Sequence, residues 1–198
     1  PALDTSKIDR TTLQYGPSEG ESALRQAICD EVNLRGIDCS AEQVIVLSGS
    51  QQGIDLTAKL FTDEQTTVAV ESPTYLAALQ VFRFFGANFQ TFDPNEIDTA
   101  KRYETSHKTK VAGEVPSLLY INPTFQNPTG YCYSLNERAN TAAYCDEYGV
   151  TLFEDDPYRD LVYDDCERRP VVSLIQQSNW IYQSSFSKSF APGLRLGY

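Results

Sequence analysis

The sequence predicts an α/β fold, with a mostly parallel, seven-stranded sheet and helices on both of its faces. Short continuous apolar runs, such as Val44-Ile45-Val46-Leu47 and Leu118-Leu119-Tyr120-Ile121, read as strands buried on both sides. Between them lie segments whose apolar residues recur every three or four positions, the helical period. Glycine, proline and small polar residues mark nearly every boundary, and strands that alternate with helices make a parallel sheet.

In order, residues 1–19 are polar and turn-rich, ending in Tyr15-Gly16-Pro17-Ser18. Leu24, Ala27, Ile28 and Val32 share one face of a predicted helix that stops at Gly36. Residues 44–47 form the first predicted strand, broken by Ser48-Gly49-Ser50, and residues 51–61 carry a helical pattern. A strand, a glycine turn and a helix N-terminus make an anion site that is common in α/β proteins. Residues 67–70 are the second strand; Ser72 is suited to cap, and Pro73 to start, a helix through Tyr75, Leu76, Leu79 and Phe82 to Gly86. Residues 87–92 read as a third, weaker strand, and residues 93–114 as a charged surface excursion with a short helix around 97–103.

Residues 117–121 form the fourth strand, which runs into a loop rich in Pro, Asn and Gly. Ser134-Leu135-Asn136-Glu137 is a capping box opening a helix to Tyr148, with Gly149 as its stop. Residues 150–153, 180–183 and 194–198 are the fifth to seventh strands. With no internal repeat, low-complexity tract or linker, residues 1–198 read as one domain. The chain does not begin with Met and stops at Tyr198 inside an apolar run, so the expectation is a piece truncated at both ends.

A net charge of −11 argues against nucleic-acid binding through this segment, because phosphate contacts need a basic face. No apolar run approaches the ~20 residues of a membrane span, and no signal peptide is visible. The five cysteines are scattered without a C-x-x-C pair, which fits reduced thiols in a cytoplasmic protein rather than a disulfide framework or zinc site. His107, the single histidine, lies in a polar stretch and reads as a solvated loop residue. Neither a triad nor a metal site is expected.

The stretch Ser184-Ser185-Phe186-Ser187-Lys188-Ser189-Phe190-Ala191-Pro192-Gly193-Leu194-Arg195 sets one lysine among serine hydroxyls, with an arginine a short loop later. An amine buried under apolar neighbours is held unprotonated and nucleophilic toward an aldehyde. Hydroxyls and a guanidinium suit a phosphate. An aldehyde and a phosphate on one ring are pyridoxal phosphate; the same residues also read as a Ser-rich surface loop with a solvated lysine. The strand ends bear on the choice, since ligands of open parallel sheets bind beyond them. Just past those ends stand Ser50 and Gln51, Tyr75, Asn127, Asp155 with Tyr158, and Ser185 with Lys188. An amide, a carboxylate, a phenol, an aromatic ring, an amine and phosphate-binding groups are what a pyridoxal phosphate site requires.

The chain resembles the large domain of the fold-type I, class I/II aminotransferases. It is most similar to their aminoadipate/aromatic branch and to the aminotransferase-like half of MocR/GntR transcriptional regulators. The matching motifs are Gln14-Tyr15-Gly16-Pro17-Ser18-Glu19-Gly20, Ser48-Gly49-Ser50-Gln51-Gln52-Gly53, Glu71-Ser72-Pro73-Thr74-Tyr75 and Asn122-Pro123-Thr124-Phe125-Gln126-Asn127-Pro128-Thr129-Gly130. Glu154-Asp155-Asp156-Pro157-Tyr158 and the lysine stretch complete the set, in the family's order.

The resemblance implies a pyridoxal-phosphate-dependent transfer of an amino group between an amino acid and a 2-oxo acid. Lys188 would form the Schiff base and shuttle the proton at the substrate α-carbon. Asp155 would face the pyridine nitrogen, where a carboxylate about 4 Å from a pyridinium is worth roughly 4 kcal/mol at an effective dielectric of ~20. Asn127 and Tyr158 would bond the phenolate oxygen, and Tyr75 would stack on the ring. Ser50, Gln51, Ser185, Ser187 and Arg195 would hold the phosphate, and Tyr15 would reach the phosphate of a neighbouring subunit in a homodimer. Tyr75 also suits a core position, Asn127 and Ser187 suit turns, and Asp156 reads as a cap or a solvated charge beside the functional acid. The family's small domain, which carries its substrate-carboxylate arginine, has no counterpart here. The same resemblance admits a regulator's effector domain, or a lyase or decarboxylase on the same scaffold.

Overall fold

The computed structural model describes residues 14–95, 97 and 115–198. Successive strand residues face opposite sides of a sheet, and here both sides are apolar. Val68 and Val70 of β1 (Thr67–Val70), Leu118 and Tyr120 of β3 (Leu118–Ile121) and Phe153 of β4 (Thr151–Asp155) face one way. They pack on Ile54 and Ala58 of α2 (Ser50–Phe61) and on Ala78 and Phe82 of α3 (Leu76–Phe84). The alternate residues Ala69, Leu119, Ile121 and Leu152 meet Ile28 and Val32 of α1 (Ser22–Leu34) and Ala142 and Cys145 of α4 (Leu135–Tyr148). Burying each such large aliphatic or aromatic side chain contributes about 1.5–3 kcal/mol, so both helical layers are bound to the sheet along its length.

With β2 (Asn88–Thr91) and β5 (Trp180–Gln183), these strands form a sheet of order β2-β1-β3-β4-β5, parallel throughout. From β1 the chain steps outward to β2, then returns past β1 to β3 and continues the other way. The order therefore reverses between β1 and β3, and the loops leaving their carboxyl ends diverge, which opens a crevice there. The capping box forms as the sequence predicts: Ser134 N–H donates to Glu137 Oε2 at 2.7 Å, and Glu137 N–H to Ser134 Oγ at 3.3 Å. Gly149 closes α4 in the left-handed conformation, at φ +67°.

Several expectations need correction. Among the described residues the sheet has five strands rather than seven. Residues 44–47 do not form a doubly buried strand: Leu47 makes a single antiparallel bridge to Gly197, Val46 N–H donates to Glu19 O, and Ile45 is 52% exposed. Residues 196–198 run antiparallel to 184–186, with Tyr198 and Ser184 exchanging both backbone bonds at 3.0 and 3.1 Å. Both runs are short because turns flank them: Gly49 at φ +82° leads into α2, and Arg195 at φ +49° ends the Pro192–Leu194 turn. Helix α3 starts at Leu76 without a side-chain cap, not at Pro73, whose carbonyl is held by Gln126 Nε2 at 2.7 Å. Cys29, not Ala27, joins Ile28 and Val32 in the core. Of the helix expected around 97–103 only Ile97 is described, packed against the core; residues 98–103 and His107 lie outside the described residues. Among the described residues, no helix is long and apolar enough to cross a membrane.

Candidate active site

Loops from the carboxyl ends of the strands enclose a cavity of about 140 Å³. Helix α2 brings Ser50 and Gln51 to it, the segment after β1 brings Tyr75, and the loop after β3 brings Asn127. Strand β4 contributes its last residue, Asp155, followed by Tyr158; the final loop contributes Ser185, Ser187, Lys188 and Arg195. Every residue singled out from the sequence lines this cavity except Tyr15, which stands fully exposed outside it. Asn122 and Pro157 also line it and were missed, although they stand one and two positions beyond a strand end and the same rule reaches them.

Asp155 is buried, and Tyr120 Oη donates to its Oδ2 at 2.8 Å, while Oδ1 has no partner among the described residues. Burial pushes this carboxyl up to about 6; the amide of Gln183 and the hydroxyl of Tyr120 oppose that shift, and the charge of Asp156 adds to it. Asp156 is neither a cap nor a solvated charge. It is fully buried, and its Oδ2 accepts from Arg159 Nη1 and, at 2.9 Å, from Tyr182 Oη.

The loop after β3 is tied to this acid. Asn122 Nδ2 donates to the Asp155 carbonyl, Asn127 N–H donates to Asn122 Oδ1 at 2.8 Å, and Asn127 Nδ2 reaches Tyr158 Oη at 3.2 Å. Beneath the loop, buried Glu71 accepts from Asn122 N–H at 2.9 Å and from Tyr133 Oη at 2.8 Å. Burial pushes Glu71 up to about 7, against the pull of those donors. Tyr75 Oη donates to Gln51 Oε1 at 3.4 Å, which joins the loop after β1 to the start of α2.

At the other end of the cavity, the first amides of α2 have no acceptor within their helix and carry the positive end of its dipole. Arg195 lies against this terminus: a Cβ on Gly49 would come within 2.5 Å of Arg195 Nη2. Ser187 N–H donates to Ser185 Oγ at 3.1 Å, which curls the last loop toward the same place. Lys188 Nζ lies 5.8 Å from the centre of the Tyr158 ring. Lys188, expected from the sequence to lie buried under apolar neighbours, is exposed instead. Its loop forms the rim of the cavity, and the nearby Phe190 is 75% exposed rather than folded over the amine. The cavity thus joins a buried acid with one unpartnered oxygen, an amine, two aromatic side chains, and a helix terminus with a guanidinium suited to an anion.

Residues 2–198 match the model of the family described as "Aminotransferase class I and II". The 2-aminoadipate transaminase of Thermus thermophilus is 34% identical over 193 residues, covering 94% of this chain and 46% of that protein. The crystal structure of Pyrococcus horikoshii kynurenine aminotransferase, solved in complex with PMP, superposes with a TM-score of 0.83 at 33% identity, over 98% of this chain and 48% of that one. An uncharacterized HTH-type transcriptional regulator of Bacillus subtilis, YisV, is 27% identical over 94% of this chain and 38% of its own length. The chain spans about half the length of the aminotransferases it matches.

Proposed function

The chain belongs to the aminotransferase class I and II family, and from that premise we propose that it transfers an amino group from an amino acid to a 2-oxo acid with pyridoxal phosphate as cofactor. The observation that carries this reading is Asp155: its buried Oδ1 lacks a donor, and it lines the same cavity as Lys188. A protonated ring nitrogen is a donor of the kind that oxygen lacks, and the α2 terminus with Arg195 is a cradle for a phosphate, so the residues fit the group. When bound, pyridoxal phosphate supplies an aldehyde that takes up amines and a ring that draws electrons from the bond broken at the α-carbon.

The chain's own residues do the rest. Lys188 Nζ would hold the cofactor at its aldehyde carbon and, when not so engaged, would move the proton at the substrate α-carbon. Asp155 holds the proton on the ring nitrogen. Asn127 and Tyr158, already bonded to each other, hold the ring oxygen, and Tyr75 covers a ring face. Ser50, Gln51, Ser185, Ser187 and Arg195 bind the phosphate. Tyr15, exposed and outside its own cavity, is available to the phosphate of a second copy in a homodimer.

The test is a borohydride-reduced sample of the full-length protein loaded with cofactor. The expected result is the cofactor's mass on the peptide carrying Lys188; Lys188→Ala shows no such adduct and no turnover. An adduct of undiminished yield in the Ala variant would overturn the assignment. The likeness to an HTH-type regulator supports a second reading, an effector domain that kept the fold. Adduct formation without turnover across a panel of amino acids and 2-oxo acids would favour it.

A further inference from the structure

Gln183 ends β5 directly beside Asp155, since the two are Cα partners in the parallel β4–β5 pair. Both lie two positions beyond Phe153 and Ile181, which face α2 and α3, so both side chains point to that face. Gln183 is 2% exposed, yet among the described residues neither its Nε2 nor its Oε1 has a hydrogen-bond partner, and neither does Asp155 Oδ1. A buried amide left unpaired is costly, and an apolar side chain of the same length avoids that cost. Helix α2 is also shaped around this amide: a Cβ on Gly53 would come within 2.1 Å of Gln183 Oε1. Gly53 has no left-handed φ, so space rather than backbone conformation calls for glycine there.

We infer that Gln183 is a positioning residue for Asp155, its amide serving as a second donor to Oδ1, the oxygen that Tyr120 leaves free and whose other lone pair takes the cofactor's ring N–H, and so holding the acid ionised. This rests on the reading of the cavity as a pyridoxal phosphate site. The amide already opposes the upward pull of burial on Asp155 without forming a hydrogen bond of normal geometry. Because the strands place the two residues in register, completing that bond is a side-chain adjustment. Other titratable or charged groups also face Asp155: Tyr120 from β3, Glu71 after β1, Asp156 and Tyr158 next to it in sequence, and Tyr75, Lys188 and Arg195 across the cavity. Replacing Gln183 leaves all of these in place.

The test uses the full-length protein and follows cofactor binding by absorbance from pH 5 to 9, with thermal unfolding of each variant in parallel. Removing a donor to the ionised acid raises the pH at which Asp155 ionises. In Gln183→Met the acid limb of binding should therefore move up by about one pH unit, so that affinity falls about tenfold at about pH 5 and only about twofold at about pH 7. Gly53→Ala, which presses on the amide from α2, should move the limb in the same direction by less, and it carries the test if the Met variant does not fold. A merely structural role lowers the melting temperature without moving the limb, and that result overturns the inference. Asp155→Asn separates the two levels. If it loses the acid limb while Gln183→Met matches the parent, only the role of Gln183 falls; if it binds with the parent's pH profile, the cofactor reading falls as well.

Discussion

Arg138 and Asp155 are both buried charges close to the same loop, but they lie on opposite faces of the sheet and are partnered in opposite ways. Arg138, on α4, donates to the carbonyls of Tyr133, Pro123 and Arg169, each at 2.9 Å, to Glu167 O at 3.0 Å and to Thr124 Oγ1 at 3.1 Å. Its guanidinium is spent on fixing the base of the loop that carries Asn127 and on binding that base to residues 167–169. Asp155 retains an unpartnered oxygen, beside an amide whose two polar atoms are also unpartnered. A buried polar group with every bond made holds a fold in place, whereas one with bonds left over is suited to a ligand.

The sharpest way to break this contrast is Asp155→Asn in the full-length protein. Turnover should fall by about a thousandfold, the equivalent of roughly three pKa units of lost support for the ring proton. Its melting temperature above pH 7 should hold or rise, because the variant no longer buries an ionised acid. A large loss of stability would make Asp155 a structural charge like Arg138. Conversely, Arg138→Met should lower the unfolding free energy by about 3–5 kcal/mol in urea titrations, since it leaves several buried carbonyls without donors. A stability close to the parent's would show that the loop does not depend on this side chain.

A smaller effect separates Glu71 from both. Burial raises its folded pKa from 4.5 to about 7, so the folded state holds the proton more tightly than the unfolded chain. Its contribution to stability is fully present below about pH 4.5 and is lost as pH rises to about 7. Glu71→Gln should flatten the fall in melting temperature across that window, and an unchanged slope would place the titration elsewhere. Asp155, raised by burial to about 6, acts in the same direction at slightly lower pH.

Most cavity residues were legible in the sequence because they sit at or shortly beyond the carboxyl end of a recognisable strand or at the start of α2, where the parallel topology gathers them. Gln183, the last residue of β5, and Tyr120, within β3, were not, because the role of each depends on which residue stands beside it in the neighbouring strand. Residues 44–47 misled for a related reason. Continuous apolar character marks burial, but a strand needs a ladder, and the Val46 amide finds Glu19 instead. The exposure of Lys188 was equally hidden, since apolar neighbours in sequence such as Phe190 need not pack over the amine.

Taken alone, the amino-acid order determined the α/β alternation, the capping of α4, and the set of chemical groups delivered beyond the strand ends. These depend on residue type and on spacing within a few positions. Only the tertiary structure decided the number of strands, the fate of Asp156, and the partnering of Asp155, Gln183 and Arg138. Those are settled by register and by which face a side chain takes, and both depend on contacts between residues far apart in the chain.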